Sequence, residues 1–349
     1  MTGMGPKGRP GSEYRSAQHE GSPVAGRHLA ILAGTAVLPF RDGIAAAVTT
    51  PWDVVAIPDD LSTSVAVIAR ADAAVTGHYD ATWPTAPRLK LLQVAGAGYD
   101  RIDIKAIPPG VTLCNVFEHE PGVSEYALLA MLEWCHRLGP ADRQMRTGVW
   151  TRSSRFGGAP DEDLAGKTLV IVGLGRIGAA VARRARAFDM RVLAVNRSAG
   201  KTDPNVERVV GLDQLNQTLS EADFVVLACA LVPETRGLIG TAELASMKPG
   251  ALIVNPARGA VIDEAALFDA LLHRRIGGAA IDTWWDYPSS AAPRDPSTRF
   301  PFHKLDNVLL SPHVAGWTTG TIVRRSLEIA RNLDRLARGE PLSNTVVTG

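Results

Sequence analysis

The sequence predicts an α/β protein of two parallel-sheet domains, the second inserted into the first. Short β-branched runs alternate with amphipathic stretches in two successive series, which is the pattern of parallel βαβ units. A glycine turn, GLGRIG, joins strand to helix at the head of the second series. A last periodic stretch, Thr318 to Arg338, closes the chain and is expected to return to the first domain, making that domain discontinuous.

Bulk properties agree and exclude other classes. A chain of 349 residues is long enough for two sizeable cores. With 37 basic and 36 acidic residues the net charge is +1, so no global field recruits nucleic acid or an anionic membrane. Cys114, Cys135 and Cys229 are odd in number, far apart and match no metal-ligand spacing, which points to reduced thiols, no metal site and a cytoplasmic setting. No apolar run approaches the ~20 residues that span a bilayer. The stretch LAILAGTAVL, from Leu29, starts too far from the N-terminus for a signal peptide and reads as a strand and its exit.

Taken in order, residues 1–26 are rich in Gly, Pro, Ser and charge, cannot bury enough surface to offset ordering entropy, and are expected to be a disordered tail. HLAILA, DVVAIP, ADAAVTG, LKLLQVAG and VTLCNV follow as five candidate strands. GVSEYALLAMLEWCHRL then places Leu128, Met131, Leu132, Cys135 and Leu138 on one helical face, with Glu118, Glu120 and Glu125 near the end where the helix dipole favours anions. It is read as a helix linking two halves. Six more candidate strands come next: KTLVIV, MRVLAV, ADFVVLA, GALIVN, IGGAAID and NVLLS. The closing helix carries Val323, Leu327, Ala330, Leu333 and Leu336 and stops at Gly339, a residue suited to a helix C-terminus. The expected division is a substrate domain of residues 27–120 and 319–349, with a dinucleotide-binding domain of 121–318 between them.

Gly173, Gly175 and Gly178 follow the strand LVIV and open a helix, the context in which G-x-G-x-x-G has a mechanism. Gly173 permits the turn, Gly175 lets backbone approach a pyrophosphate, and Gly178 allows close helix-to-strand packing at an anion-attracting helix N-terminus. Arg176 and Ile177 lie within the same turn. An acid about 20 positions on would bond the ribose of NAD. Asn196 stands 23 residues after Gly173 instead, and Arg197, Ser198 and Lys201 follow as donors for a 2′-phosphate, so NADP is favoured over NAD. A solvated Arg197, or one stacked on adenine, is the alternative.

A lone histidine such as His313 in LLSPHVAGWTTG is ordinarily read as a polar residue closing a strand. Its company changes that reading. Arg258 lies just past LIVN, Asp282 ends GGAAID and His313 follows LLSP. In an open parallel sheet these strand ends line the edge where ligands bind. A guanidinium clamps a carboxylate, and an imidazole exchanges a proton with a hydroxyl as hydride leaves its carbon. The pairing suggests oxidation of a 2-hydroxy acid or reduction of a 2-oxo acid.

The segments LQVAGAGYDRID, VSEYALLAML, VIVGLGRIG, ALVPETRGLIG, MKPGALIVNPARGAVIDEAAL, GGAAIDTWWDYP and NVLLSPHVAGWTT together resemble the D-isomer-specific 2-hydroxyacid dehydrogenase family. They cover nearly everything from residue 28 onward, in the family's order. The resemblance implies a Rossmann domain inserted in a flavodoxin-like catalytic domain, a substrate cleft at the hinge and a homodimer formed through the Rossmann domain. It implies that Arg258 binds the substrate's carboxylate and carbonyl, that His313 is the acid/base, and that Gly96, Ala97 and Gly98 offer backbone N–H groups to the carboxylate. Asp282 and Ala257 would hold the nicotinamide carboxamide, and Cys229, Pro256 and Ala315 complete the cofactor set.

One position departs from the family pattern. Where the family has a glutamate that pairs with the histidine, counting from Asp282 gives Tyr287, with Asp286 beside it. A tyrosine brings no negative charge at neutral pH and would not raise the histidine's pKa as a carboxylate does. Tyr287 is the first positional partner and Asp286 the second, and the segment SSAAPRDPSTRFPFHK offers other groups. Reduction is therefore expected to fall away at a lower pH than is usual for the family. The same departure leaves open a formate-like dehydrogenase or a nucleotide-sensing, corepressor-like binding protein. His119, between two glutamates, is read as a hinge or rim residue. Trp284, Trp285 and Trp317 are read as either an apolar wall of the site or interdomain packing. The absence of a later regulatory domain disfavours feedback-regulated phosphoglycerate enzymes.

Overall fold

The structure is a computed structural model and describes residues 26–198, 200–288 and 299–348. The expected N-terminal tail and most of the segment before the last predicted strand lie outside those residues.

Five strands of the first series, β1 (His28–Ala33), β2 (Trp52–Ile57), β3 (Ala73–Thr76), β4 (Leu91–Val94) and β5 (Thr112–Cys114), form a parallel sheet. The second series supplies β6 (Thr168–Val172), β7 (Arg191–Val195), β8 (Arg208–Val210), β9 (Phe224–Leu227), β10 (Leu252–Asn255), β11 (Gly278–Ile281) and β12 (Val308–Leu310). A thirteenth strand, β13 (Thr345–Thr348), pairs antiparallel with β5, giving the first sheet the order β13-β5-β4-β3-β1-β2. The second sheet runs β12-β11-β10-β9-β6-β7-β8. Its order reverses at β6, where a ligand crevice opens beyond the carboxyl ends of the strands.

Two of these strands were not among the predicted ones. Edge strand β8 has only three residues, too few to show a period, and β13 is an exposed or half-buried edge strand with no continuous apolar run. Inner strands β3, β6 and β9 are buried along their whole length, because helices cover both faces of each sheet.

The linking helix is Glu120–His136, which starts and ends two residues before the stretch Gly122 to Leu138 that the apolar pattern suggested. Arg137 turns left-handed at φ 48° and ends it, so Leu138 starts a separate helix, Leu138–Arg146, and is 70% exposed. Ala127, Leu128 and Met131 of the linking helix pack into the core beneath β6. The final helix, Thr319–Arg338, is capped by the Thr318 hydroxyl accepting from the Thr321 N–H and stops at Gly339 with φ 68°. Ile329, Ala330 and Leu333 bury against Ala30 and Leu32 of β1. Val323 and Leu327, expected on the buried stripe, are exposed, because the inward face runs through Ser326 and Ile329. The chain thus returns to the first sheet after completing the second. Among the described residues no helix is long and apolar enough to cross a membrane.

Candidate active site

The glycine turn shows three different steric demands. Gly173 has φ 101°, and a Cβ there would lie 2.6 Å from the Cys229 nitrogen, so the turn after β6 is packed against the exit of β9. At Gly178 a Cβ would meet the Gly173 carbonyl oxygen at 2.2 Å, which fixes how closely the helix Arg176–Arg186 approaches the turn. At Gly175 a Cβ would meet nothing within 4 Å. That residue is exposed at the head of the helix, where the N–H groups and the dipole favour an anion. The three residues fit a dinucleotide's pyrophosphate.

Beyond β7, the Asn196 side chain accepts from the Leu174 N–H (3.2 Å) and donates to the Ser198 carbonyl (3.2 Å), so it clasps the glycine turn. Lys201 donates to the Leu174 carbonyl. Arg197 and Ser198 are exposed beside them. Ile177 is half-buried, and the Arg176 guanidinium stacks 4.2 Å over the Phe117 ring and lies 4.0 Å from Glu120, bridging toward the first sheet. Burial pushes the Cys229 thiol up to about 11, so it is a neutral wall of the crevice. Pro256 and Ala257 are buried after β10.

Strands β10, β11 and β12 are parallel neighbours, so their carboxyl ends deliver Arg258, Asp282 and His313 to one edge. Asp282 is fully buried, and its carboxylate accepts from the Ser311 hydroxyl (2.6 Å), the Val314 N–H (2.8 Å) and the Ala315 N–H (3.0 Å). The two amides immediately after His313 are thereby tied down, which holds His313 at φ 59°, a left-handed conformation costly for a residue with a side chain. Tyr126 extends the network through its hydroxyl to Ser311 (2.8 Å). A carboxylate has about four acceptor positions, so one remains on Asp282 after these three bonds.

Desolvation by the cleft disfavours a charged His313. Together with the fields of Arg258 and Arg325 it outweighs the opposing pull of Asp282 and Asp100, and the imidazole pKa lies below its ordinary value. Tyr287 supplies no counter-charge. Its ring sits 5.5 Å from the imidazole, centroid to centroid, while its hydroxyl accepts from the Trp284 N–H (3.3 Å), and burial raises its pKa. The Asp286 carboxylate accepts from the Tyr287 N–H (2.9 Å) and is exposed. Among the described residues neither side chain hydrogen-bonds His313.

The loop after β4 brings the other half of the site. The Gly96 carbonyl accepts from the Val116 N–H (3.0 Å) and that of Ala97 from Asn115 Nδ2 (2.8 Å). Among the described residues, the N–H groups of Gly96, Ala97 and Gly98 have no partner. Across the cleft Arg258 donates through Nε (3.2 Å) and Nη2 (3.0 Å) to Asp100 Oδ1, with Nη1 on the Ala257 carbonyl (2.8 Å). Burial alone would raise the Asp100 pKa, but the Arg258 bonds and charge hold it below the usual carboxylate range. Gly98 makes room for this pair, since a Cβ there would lie 1.9 Å from Arg258 Nη2.

Asp100, Ser311, Tyr126 and Arg325 were missed in the sequence. Asp100, Tyr126 and Ser311 sat inside the family segments without a role of their own, whereas Arg325 sat on an amphipathic helix where polar residues pass for surface. The tryptophans divide by role. Trp284 and Trp285 donate to the Ser311 (3.0 Å) and Ile262 (2.7 Å) carbonyls and belong to the second domain's frame. Trp317 is half exposed and meets the edge of Phe40 of the first domain at 6.1 Å. Glu118 and Glu120 face Arg324 and Arg176, each at 4.0 Å, and no metal-binding cluster occurs among the described residues.

Residues 128–315 match the family model for the D-isomer specific 2-hydroxyacid dehydrogenase NAD-binding domain. A glyoxylate reductase of Korarchaeum cryptofilum is 38% identical over 75% of this chain and 77% of its own length. A D-3-phosphoglycerate dehydrogenase of Archaeoglobus fulgidus is 34% identical over 75% of this chain but only 48% of its own, so the chain spans about half of that relative. A D-isomer specific 2-hydroxyacid dehydrogenase family protein of Aeromonas salmonicida superposes with a TM-score of 0.78 at 24% identity, covering 93% of this chain and all of the other, and shows the shared fold.

Proposed function

Because the chain belongs to the D-isomer specific 2-hydroxyacid dehydrogenase family, whose model spans residues 128–315, we propose that it interconverts a 2-oxo acid and its D-2-hydroxy acid with NAD(P). The observation that carries this reading is the convergence of Arg258, His313 and the unpartnered amides of Gly96, Ala97 and Gly98 on one cleft.

The dinucleotide, when bound, supplies or accepts the hydride. Gly173, Gly175, Arg176, Ile177 and Gly178 hold its pyrophosphate, and Cys229, Pro256, Ala257, Asp282 and Ala315 line its nicotinamide end. Asn196 brings no carboxylate to the ribose, and exposed Arg197 and Ser198 supply donors for a 2′-phosphate, which supports NADP as the preferred form. The loop amides and Arg258 receive the substrate's carboxylate, and Arg258 polarises its carbonyl. As the carbonyl becomes an alkoxide, protonated His313 donates its proton to that oxygen; in oxidation the neutral imidazole takes it back. Tyr287 stands where a carboxylate would hold His313 charged, so reduction is confined to lower pH. Asp286 is the second candidate for the partner.

The substrate domain is assigned to residues 27–120 and 319–349 and the cofactor domain to 121–318, with a cytoplasmic setting supported by three free cysteines. A homodimer through the cofactor domain is supported by the individually exposed apolar side chains of Leu129, Leu138, Met145, Trp150 and Phe156, which a second copy would cover.

The test is the initial rate of NADPH and NADH oxidation against a panel of 2-oxo acids, for the wild type and His313→Ala. Turnover reduced about 10²–10⁴-fold in the variant, with cofactor binding retained, is expected. Turnover that survives the substitution would refute the acid/base role.

A further inference from the structure

Arg325, on the inner side of the final helix, has no part in the chemistry so far assigned. Its Nε donates to the Phe117 carbonyl (2.8 Å), which fixes the side chain. Nη1 and Nη2 are left without a hydrogen bond or ion pair among the described residues, each 4.0 Å from where a Cβ of Gly96 would stand. The nearest acids act on it by charge without bonding it: Glu120 lies 4.0 Å from Arg176, and Glu118 4.0 Å from Arg324, whose own Nε donates to the Glu118 carbonyl (3.1 Å). A half-buried cation with no carboxylate bonded to it among the described residues is costly unless an anion visits it. Burial accordingly lowers its pKa to about 10, and the charges of Glu120 and Glu118 only partly oppose that fall.

A second unsatisfied group adjoins it. His119 Nδ1 is buried with no hydrogen-bond partner among the described residues, and the ring is held neutral, its pKa pushed down to about 3 by burial and then by Arg325. Arg325 Nη1 and Nη2 and His119 Nδ1 therefore lie near one another without hydrogen-bond partners among the described residues.

The placement relative to Arg258 says what kind of ligand fits. Arg258 lies against Gly98 and Arg325 against Gly96, two residues away on the same loop, so their anchoring Cα atoms are at most about 7 Å apart. One guanidinium faces each of two alternate residues, with the free loop amides between them. A substrate with one carboxylate satisfies the first cation and leaves the second bare. A short chain with an anion at each end satisfies both.

We propose that Arg325, with His119 beside it, is a specificity-determining residue that binds a second anionic group, carboxylate or phosphate, on the side chain of the 2-oxo acid. This rests on the dehydrogenase reading above. The anion accepts from Nη1 and Nη2, and His119 Nδ1 in its protonated tautomer donates to it.

The experiment compares kcat/KM for 2-oxoglutarate and for 2-oxopentanoate, which has the same carbon count and no second charge, in the wild type, Arg325→Met and Arg325→Lys. The 3-phosphooxypyruvate rate, measured alongside, distinguishes phosphate from carboxylate. A charged hydrogen-bonded pair predicts that the diacid-to-monoacid ratio falls about 10–100-fold in Arg325→Met and recovers in part in Arg325→Lys. A structural role lowers both rates together and leaves the ratio unchanged, which overturns the proposal; so does a wild type that prefers the monoacid. Calorimetric binding of glutarate to the enzyme with NADP separates this failure from failure of the dehydrogenase reading. Arg325-dependent glutarate binding without turnover of any 2-oxo acid sinks the reaction and keeps the anion site. Turnover with glutarate binding indifferent to Arg325 keeps the reaction and sinks the site.

Discussion

Gly98→Ala separates folding from catalysis. The added methyl would lie 1.9 Å from Arg258 Nη2 and 2.9 Å from Asp100 Oδ1. Ordinary contact begins at 3.4 Å, so the guanidinium must withdraw by about 1.5 Å (3.4 − 1.9). What moves is the end of a flexible side chain, and the backbone of Gly98 has no positive φ to protect. The fold loses only the partly exposed Arg258–Asp100 pair, about 1 kcal/mol or less, or roughly 2–4 °C of melting temperature. The chemistry loses more, because a displacement of about 1 Å in a positioned group costs roughly 100-fold, equivalent to about 2.7 kcal/mol of transition-state stabilisation. The assay is kcat/KM for the best 2-oxo acid beside a thermal melt of the same preparation. Activity within threefold of wild type would refute the placement of Arg258 at the reacting group. Activity lost in step with a collapsed melting temperature would mean that Gly98 serves the fold.

Three further outcomes follow from the same structure. Tyr287→Glu places a carboxylate beside His313 and raises its pKa. The limb on which reduction declines with rising pH then moves to higher pH, whereas an unmoved limb would show that position 287 does not face the imidazole. Arg197→Glu puts a negative charge where a 2′-phosphate is proposed to sit, and the NADPH-to-NADH preference should fall at least about tenfold; an unchanged ratio would leave Arg197 as a surface residue. Asp334 accepts from the amides and hydroxyls of Thr49 and Thr50, tying the final helix to the chain before β2, so Asp334→Ala should cost about 3 kcal/mol in urea unfolding. Burial would raise the Asp334 pKa, but those four donors hold it below the ordinary carboxylate value. Its contribution is therefore fully present above that ordinary value and fades as the pH falls through the depressed one. A variant that retains the wild-type acid limb of stability would contradict this.

The sequence by itself determined the class of fold and the positions of its inner strands, because a strand buried on both faces must be a continuous apolar run and β3, β6 and β9 are such runs. It also determined the glycine turn, since the geometry at Gly173 and Gly178 tolerates no side chain and the requirement is written into residue type. It placed Arg258, Asp282 and His313 at three strand ends, and parallel pairing of adjacent strands brings such ends to one edge. What lay beyond reach was anything set by edges, rotations and cross-chain partners. Strands β8 and β13 are short edge pieces whose pairing is decided by a neighbour distant in sequence. The stop at Arg137 and the rotation that exposes Val323 and Leu327 depend on what each helix packs against, and local periodicity does not carry that information. Only the tertiary structure set Asp100 against Arg258 and left Arg325 at Gly96 with no carboxylate bonded to it among the described residues. An ion pair between residues 158 positions apart, and the lack of one at Arg325, are facts of three-dimensional proximity, for which charge and spacing along the chain provide no signal.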